Sequence, residues 1–178
     1  LSFVDIDGDG DLDAFMSLGV VSTNNGYTYV SPDIAFYENV GSATAPAFSI
    51  NIDDNPLNTV FENVGDSQGI AYSLVFADID GDGDMDAMVG SVLYASDPTL
   101  NLYENIGTAT EPLFREVPAA EDSFAAMREQ VNSYYLSPAV VDIDGDGDLD
   151  VFLGEYYGRF FYFENQTAAV AEAGGTTT

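Results

Sequence analysis

VDIDGDGDLDAF at Val4–Phe15 is the stretch that decides how this chain folds, because it returns twice almost unchanged. The second copy is ADIDGDGDMDAM at Ala77–Met88, and the third is VDIDGDGDLDVF at Val141–Phe152. The copies begin 73 and 64 residues apart. A repeat of this length is one supersecondary unit that buries its apolar surface against its neighbours. The copies therefore predict three consecutive units in a single repeat domain, residues 1–178.

A second motif follows each copy and helps to place the units. It reads FYENVGSATAPAF at Phe36–Phe48, LYENIGTATEPLF at Leu102–Phe114, and a degraded YFENQTAAV at Tyr162–Val170. The two motifs together divide the chain at approximately 1–72, 73–136 and 137–170, with a Gly- and Thr-rich tail at 171–178.

Short runs rich in Val, Ile, Phe and Tyr flank each aspartate run and predict strands rather than helices. Each unit should hold three or four antiparallel strands, so the predicted fold class is all-β. We expect the strand that leaves the aspartate run to end at Gly19, Gly90 and Gly154 in the three units. A long variable turn is then expected over Val20–Asp33, and a short inserted helix over Ala119–Val131.

The aspartate run alternates carboxylates with small or apolar residues over nine positions, from Asp5 to Asp13 in the first copy. Calcium takes six to eight oxygen ligands at about 2.3–2.6 Å. Loops that bind it use carboxylates at positions 1, 3 and 5, a turning glycine at position 6 and a carbonyl at position 7. A carboxylate at position 9 would close the site. The sequence therefore predicts three Ca²⁺ sites, and the predicted ligands are Asp5, Asp7, Asp9, Asp11, Asp13, Asp78, Asp80, Asp82, Asp84, Asp86, Asp142, Asp144, Asp146, Asp148 and Asp150.

Within these loops, two further features are predicted. Position 7 should bind through its carbonyl, so the side chains of Asp11, Asp84 and Asp148 are expected to be solvated. The apolar residues at positions 2 and 8 are expected to plug the loops into the core; they are Ile6, Ile79, Ile143, Leu12, Met85 and Leu149.

Other interpretations of the loop fit less well. An EF-hand requires a bidentate Glu at position 12, where this chain has Met16, Val89 and Leu153. Magnesium prefers fewer protein ligands and keeps its waters. A solvated acidic turn without an ion would crowd five carboxylates, which repel one another at about 1 kcal/mol per close pair even in water.

Composition excludes several classes of partner and site. The net charge is -28, and three divalent ions carrying six positive charges would reduce it only to -22, so nucleic acid and anionic membranes are not expected partners. Cysteine and histidine are absent, which removes disulfides and the commonest general base. No apolar run is long enough to span a membrane. Within these residues we expect no signal peptide, and any targeting segment is expected upstream of residue 1.

These motifs resemble the calcium-binding repeats known as FG-GAP or VCBS repeats, over nearly all of residues 1–170. The matching features are the DxDxDGxxD loop, the small-apolar-Gly ending (AFMSLG, AMVG, VFLG) and the YEN-x-G-T-A-T-x-P-x-F block. The resemblance implies one calcium-clamped, antiparallel β-propeller blade per unit. Closed propellers have about four to eight blades, so three units form either part of a larger propeller or an open array. The third unit lacks the TATxPxF block that leads to the last strand in the other two units.

Other polar and aromatic groups have structural explanations. The pairs Glu38-Asn39, Glu104-Asn105 and Glu164-Asn165 recur at a strand end and are expected to bond the turn backbone. Tyrosines near the variable loops favour packing over sugar stacking; they are Tyr27, Tyr29, Tyr134, Tyr135, Tyr156 and Tyr157. Asn165-Gln166-Thr167 fits a glycosylation sequon, and Thr176–Thr178 would accept O-linked sugar.

Taken together, the sequence predicts an extracellular calcium-binding structural or adhesive protein without catalytic residues. We expect a homo-oligomer or polymer, such as a filament or surface-layer subunit, assembled head to tail by strand pairing through Phe160–Val170 or the tail. The alternatives are a propeller module that binds a glycan or a cell-surface protein, and an accessory domain of an enzyme.

Overall fold

The computed structural model describes residues 1–24, 27–51, 53–61, 72–91, 100–118 and 135–165, with residues 121, 124, 127, 130, 131 and 133. These residues form three antiparallel sheets, and one helical turn, α1 (Asn58–Phe61), follows the first sheet. The prediction of an all-β fold is confirmed.

Each sheet is a meander in which strands that are consecutive in sequence are neighbours in space. Sheet I contains β1 (Ser2–Val4), β2 (Asp13–Asn24), β3 (Tyr27–Asn39) and β4 (Phe48–Ile50). Sheet II contains β5 (Tyr72–Ala77), β6 (Asp86–Ser91), β7 (Leu100–Asn105) and β8 (Phe114–Glu116). Sheet III contains β9 (Ser137–Val141), β10 (Asp150–Gly154) and β11 (Phe160–Phe163).

The aspartate run joins the first two strands of every sheet in the same register. Val4 pairs with Asp13 in sheet I, and the equivalent pairs close the loop in sheets II and III: Ala77 with Asp86 and Val141 with Asp150. Each loop therefore begins and ends on a paired strand residue. The three loops occupy the same end of their sheets.

In the first unit, the predicted turn at Val20–Asp33 is wrong. Strands β2 and β3 continue through this region as one long hairpin, with Gly19 opposite Pro32 and Asn24 opposite Tyr27. The β-branched residues of β2 and β3 in this region favour extended backbone, and this preference outweighs the effect of Gly19 within β2. On the side away from β2, β4 pairs only with the far end of β3, so Pro32 lies on an edge of the sheet, where proline is tolerated.

Two other predicted elements lie mostly outside the described residues. In the predicted helix at Ala119–Val131, Met127 and Gln130 have helical backbone conformation, and the side chains of Met127 and Val131 are buried. The region after Asn165, including the tail at 171–178, is also outside the described residues.

The sheets stack face to face around two apolar cores. The first core lies between sheets I and II and contains Phe15 and Phe36 from sheet I with Val89 and Tyr103 from sheet II. The second core lies between sheets II and III and includes Met88 and Leu153, joined there by Met127, Val131 and Leu136. Sheet II is therefore covered on both faces. No helix among the described residues is long and apolar enough to cross a membrane.

Gly90 marks a close approach between sheet II and the chain that leads into sheet III. A Cβ atom at this position would lie 1.9 Å from the carbonyl oxygen of Leu136. The equivalent Gly154 has ordinary space around it, since the nearest atom would be 3.8 Å away. Gly90 is thus required by packing, whereas Gly154 is not.

Candidate metal centre

Each aspartate loop has the same backbone shape because two glycines adopt positive φ angles. The φ values are 70° and 94° at Gly8 and Gly10 in the first loop. The second and third loops repeat them at Gly81 (82°), Gly83 (98°), Gly145 (78°) and Gly147 (98°). L-residues with a side chain rarely adopt this conformation. Positions 4 and 6 therefore both turn the loop, where the sequence predicted this role only for position 6.

The first carboxylate of each loop is anchored across the turn. Asp5 Oδ2 accepts a hydrogen bond from the backbone N of Gly10 at 3.1 Å. The equivalent bonds are Gly83 N to Asp78 Oδ2 at 3.1 Å and Gly147 N to Asp142 Oδ2 at 3.2 Å. Because the loop curls around this side chain, its other carboxylates are brought to the same side.

Carboxylate oxygens converge in all three loops. In each loop, three side chains offer oxygens within 4.8 Å of one another. The converging sets are Asp5, Asp7 and Asp9; Asp78, Asp80 and Asp86; and Asp142, Asp144 and Asp146. Positions 1 and 3 are common to all the sets, while position 9 joins them in the second loop and position 5 in the others.

The aspartates at position 7 correct the sequence prediction, because their side chains are not solvated. Asp11 and Asp84 are buried, and each has a buried Oδ1 atom without a hydrogen-bond partner. Both carboxylate oxygens of Asp148 are also buried and unpartnered. In the first unit, Asp11 lies against the turn that follows β3, a long-range contact that local spacing does not reveal. A buried carboxylate oxygen without a partner is costly, and a cation would satisfy it.

Burial and crowding raise the pKa of several loop carboxyls. Burial, followed by repulsion from Asp9, raises the pKa of Asp11, and burial likewise raises the pKa of Asp84. Burial raises the pKa of Asp13 and of Asp86 to about 6, against the opposing effect of hydrogen bonds to their carboxylates. The loops are therefore electrostatically unfavourable as anions alone and suited to a positive ion.

The aspartate at position 9 connects the loop to the third strand. Asp13 Oδ1 accepts a hydrogen bond from the backbone N of Asn39 at 2.7 Å. The same bond joins Asn105 N to Asp86 Oδ1 and Asn165 N to Asp150 Oδ1, at 2.9 Å each. In the second and third loops, Oδ2 also accepts a backbone N–H, from Ile79 and Ile143. In all of these bonds the carboxylate is the acceptor, as expected of an ionised group. The remaining lone pairs of its oxygens can therefore bind a cation.

The asparagines of the Glu-Asn pairs act as predicted in the first two units. The glutamates do not: Glu38 accepts a hydrogen bond from the Asn51 side chain, and Glu104 pairs with Arg115. Asn39 Oδ1 accepts hydrogen bonds from Gly41 N at 3.2 Å and Ala47 N at 2.9 Å. Asn105 Oδ1 makes the same bonds with Gly107 N at 3.0 Å and Leu113 N at 2.9 Å. The turn-bonding prediction is confirmed for these two residues. The sequence did not reveal the backbone link from each Asn to the aspartate loop, although the recurrence of the pair in every unit was a signal for it.

Burial of the apolar loop residues depends on the sheet. Ile6 is buried in the first core, and Ile79 is partly buried against the second. Ile143, Leu12 and Met85 are exposed, so the prediction that all these residues plug the core is wrong for these three. Ile143 is exposed because no described residue covers that side of sheet III.

The first loop also contacts the neighbouring unit. A Cβ atom on Gly8 would lie 3.0 Å from the carbonyl oxygen of Ala109 and 3.1 Å from Cγ2 of Thr110. These two residues belong to the turn between β7 and β8 of sheet II. The first aspartate loop therefore rests on the turn of the next sheet.

A second polar cluster, outside the loops, was not predicted. The buried carboxylate of Glu155 accepts hydrogen bonds from Ser133 Oγ and from Arg159 Nε, the latter at 3.1 Å. Beside it, the rings of Tyr135 and Tyr156 stack with centroids 5.2 Å apart, and Tyr135 has a positive φ of 57°. This cluster holds the turn between β10 and β11, at the opposite end of sheet III from its aspartate loop.

Comparison with known proteins adds no relative: no family model, no curated protein and no solved structure matches this chain.

Proposed function

We propose that this chain is an extracellular calcium-binding structural protein, in which one Ca²⁺ ion in each aspartate loop is part of the fold. The observation that carries the proposal is the set of buried carboxylate oxygens without hydrogen-bond partners, found in all three loops. In the first loop these are Asp5 Oδ1, Asp11 Oδ1 and Asp13 Oδ2. Buried oxygens of this kind, beside converging carboxylates, fit a hard cation.

The donor set favours calcium over other metals. The loops offer only carboxylate and carbonyl oxygens, and the chain has no histidine or cysteine to attract a transition metal. Aspartates at positions 1, 3, 5 and 9 would hold the ion. Position 7 would add its backbone carbonyl. When bound, the ion supplies two positive charges that offset the mutual repulsion of these side chains.

In each sheet, the aspartate loop is connected to the end of the third strand. Asp13, Asp86 and Asp150 already tie the loop to the third strand through a backbone N–H. An ion held by the same loop would stiffen both the hairpin and this link. Three repeated sites of this kind suit a structural role better than a catalytic one. The resemblance to FG-GAP and VCBS repeats supports the same proposal, with each sheet as one propeller-type blade.

The extracellular location and self-assembly complete the proposal. Calcium is available outside cells at concentrations that weak sites of this type require. A charge of -28 keeps such a protein soluble and is partly neutralised by its own ions. We propose that copies associate head to tail into a filament or surface layer.

Calorimetric titration of the metal-free chain with Ca²⁺ tests the calcium sites. We expect a stoichiometry of three, with much weaker binding of Mg²⁺. Asp7→Asn, Asp80→Asn and Asp144→Asn should each remove about one ion, because each takes a charge from one converging set. Asp53→Asn is the matched control, since Asp53 is an exposed acid outside the loops. A stoichiometry that stays at three in all the loop variants would refute the assignment.

A glycan-binding role is the second candidate, and one surface feature favours it. Tyr156 and Tyr157 are exposed, contact each other at 5.3 Å, and lie beside the Tyr135 ring and the Arg159 guanidinium. Exposed aromatic rings with nearby hydrogen-bond donors are able to stack on sugars. A glycan array that shows binding by the wild-type chain and none by Tyr156→Ala would favour this role over the structural one.

A further inference from the structure

Each sheet has two apolar faces, and two of these faces have no partner among the described residues. Sheets I and II share the first core, and sheets II and III share the second. The outer face of sheet I remains open; it consists of Leu1, Phe3, Leu12, Phe48 and Ile50. The outer face of sheet III is likewise uncovered by any described residue; it consists of Val141, Phe152, Phe160 and Tyr162.

The exposure of these faces is large for apolar side chains. Phe3 is 55% exposed and Phe160 is 73% exposed. The isoleucine at loop position 2 shows what is missing from sheet III: Ile6 is 3% exposed in the first core, whereas Ile143 is 57% exposed. Repeat arrays that stay soluble as monomers carry polar outer faces. Contiguous apolar surface of this extent marks an interaction site.

The interface between sheets I and II shows how one apolar sheet face packs against another in this protein. Sheet I contributes the rings of Phe15 and Phe36, whose centroids are 4.9 Å apart at an interplanar angle of 30°. Sheet II contributes Phe76 and Phe114, which are 6.5 Å apart at 61°. Phe15 meets Phe76 at 4.7 Å and joins the two pairs.

Both halves of this aromatic contact occur again, each without a partner in the part of the chain that the structure describes. On the outer face of sheet III, Phe152 and Tyr162 are 4.8 Å apart at 29°, and they occupy the repeat positions of Phe15 and Phe36. On the outer face of sheet I, Phe3 and Phe48 are 6.4 Å apart at 53°.

The repeat spacing confirms that the second pair is also equivalent to its counterpart. Phe3 and Phe76 each lie two residues before the first aspartate of a loop. Phe48 and Phe114 each lie nine residues after the Asn of a Glu-Asn pair. One chain therefore presents the two complementary halves of an interface that it already uses internally.

We propose that the outer face of sheet III packs on the outer face of sheet I of a second copy of this chain. This inference rests on the self-assembly part of the proposed function and names its surfaces. The recess beside Phe3, Leu12 and Phe48, with a volume of about 460 Å³, receives the Phe152 and Tyr162 rings of the neighbour. The contact is between faces rather than strand edges. Because the two surfaces differ, it continues as a filament unless its rotation closes a ring.

Charge sets the conditions under which this contact forms. Each copy carries -28 without ions, and three bound Ca²⁺ would leave -22, so like-charge repulsion opposes association. Salt screens this repulsion, with a Debye length of about 8 Å at physiological ionic strength. Association should therefore strengthen with calcium and with added salt.

Sedimentation velocity of the full chain, saturated with calcium in physiological salt, tests the interface. The wild-type chain should form larger species as its concentration rises. Phe160→Asp and Phe3→Asp should each sediment as monomers, and because both side chains are exposed, neither change threatens the fold. Ile106→Asp is the control, since it places the same charge on an exposed apolar residue in the turn after β7 and should associate like the wild type.

Mixing the two variants gives the decisive result. Phe3→Asp retains an intact sheet III face, and Phe160→Asp retains an intact sheet I face. An equimolar mixture should therefore form a species of two chains and nothing longer. Dimers in either variant alone, or a wild-type chain that stays monomeric at high concentration, would overturn the proposal.

Measuring the calcium stoichiometry separately distinguishes a failure of self-assembly from a failure of the calcium sites. If the wild-type chain binds three ions but stays strictly monomeric, the calcium sites are supported and self-assembly is refuted. Assembly that persists in both face variants, but is lost when residues 168–178 are deleted, would overturn the face contact and favour strand pairing instead.

Discussion

The carboxylate of Asp86 and the backbone N–H of Asn105 are joined by a hydrogen bond of 2.9 Å, and this bond connects the aspartate loop of sheet II to the turn after its third strand. The side chain of the same Asn holds that turn through Gly107 N and Leu113 N. Asn105 therefore supports two structures: its backbone N–H holds the aspartate loop, and its side chain holds the turn after β7.

Asn105→Ala should separate these two roles. The change leaves the backbone bond to Asp86 in place but removes the acceptor of two turn N–H groups. We expect the free energy of unfolding to fall by roughly 1–3 kcal/mol, with calcium stoichiometry unchanged at three. Chemical denaturation and calorimetry measure the two quantities. Asn101→Ala, at a partly exposed strand position, is the control and should cost much less.

The calcium-free chain should become more stable as the pH falls from 7 to 5. Burial raises the pKa of Asp13 and Asp86 to about 6, above the unfolded value of about 3.9. Their contribution to stability is therefore fully present below about pH 4 and is lost as the pH rises through about 6. The expected gain is on the order of 1–2 kcal/mol, allowing for solvent screening.

Thermal unfolding with and without calcium measures this effect. The stabilisation produced by calcium should be largest at pH 7 and shrink towards pH 5, because protons and the ion compete for the same carboxylates. The double variant Asp13→Asn, Asp86→Asn should lose most of the pH dependence. A calcium-free chain that is more stable at pH 7 than at pH 5 would contradict the prediction.

Gly90→Ala should destabilise the chain, whereas Gly154→Ala should not. The added methyl group would overlap the carbonyl oxygen of Leu136 at position 90 and meet nothing closer than 3.8 Å at position 154. We expect a loss of about 1–3 kcal/mol or more for the first variant. The second should be neutral, or stabilising by about 0.4–1 kcal/mol through the unfolded chain. Equal unfolding midpoints in urea for the two variants would argue against the close packing described here.

Glu155→Gln should lower the melting temperature at pH 7, and the difference from wild type should disappear in acid. Hydrogen bonding to Arg159 lowers the pKa of the Glu155 carboxyl to about 2, below the unfolded value of about 4.3. The stabilisation is therefore present above about pH 4.3 and is lost as the pH falls towards 2. Glu164→Gln, at an exposed position, is the matched control.

The aspartate loops could be located from the sequence because their spacing is local and is repeated three times. The all-β class and the strands beside each loop could also be predicted, because they depend on short local runs of strand-forming residues. The β2–β3 hairpin could not be found in this way, since Gly19 and Pro32 are typical of turns until their pairing partners are known.

Long-range packing explains what else the sequence did not reveal. The position of Asp11 beside the Asn39 turn, and hence its burial, depends on a contact between distant segments. Alternation along β10 makes both of its faces apolar, but it does not indicate which face is covered. Only the stacking order of the sheets separates buried Val151 from the outer-face residue Phe152.

Gly8 lies against the Ala109–Thr110 turn, so the loop of one sheet and the turn of the next cannot loosen independently. An array of units coupled only to their nearest neighbours behaves as a one-dimensional cooperative system. Emptying the first loop should therefore weaken the adjoining turn, which the Asn105 side chain and the second loop support. Release of an ion from the first loop would then be felt in sheet II, whereas the second loop has no such contact at Gly81 among the described residues. If the loops hold calcium as proposed, a contact of this kind would make the stiffness of the first two sheets depend on the same ions.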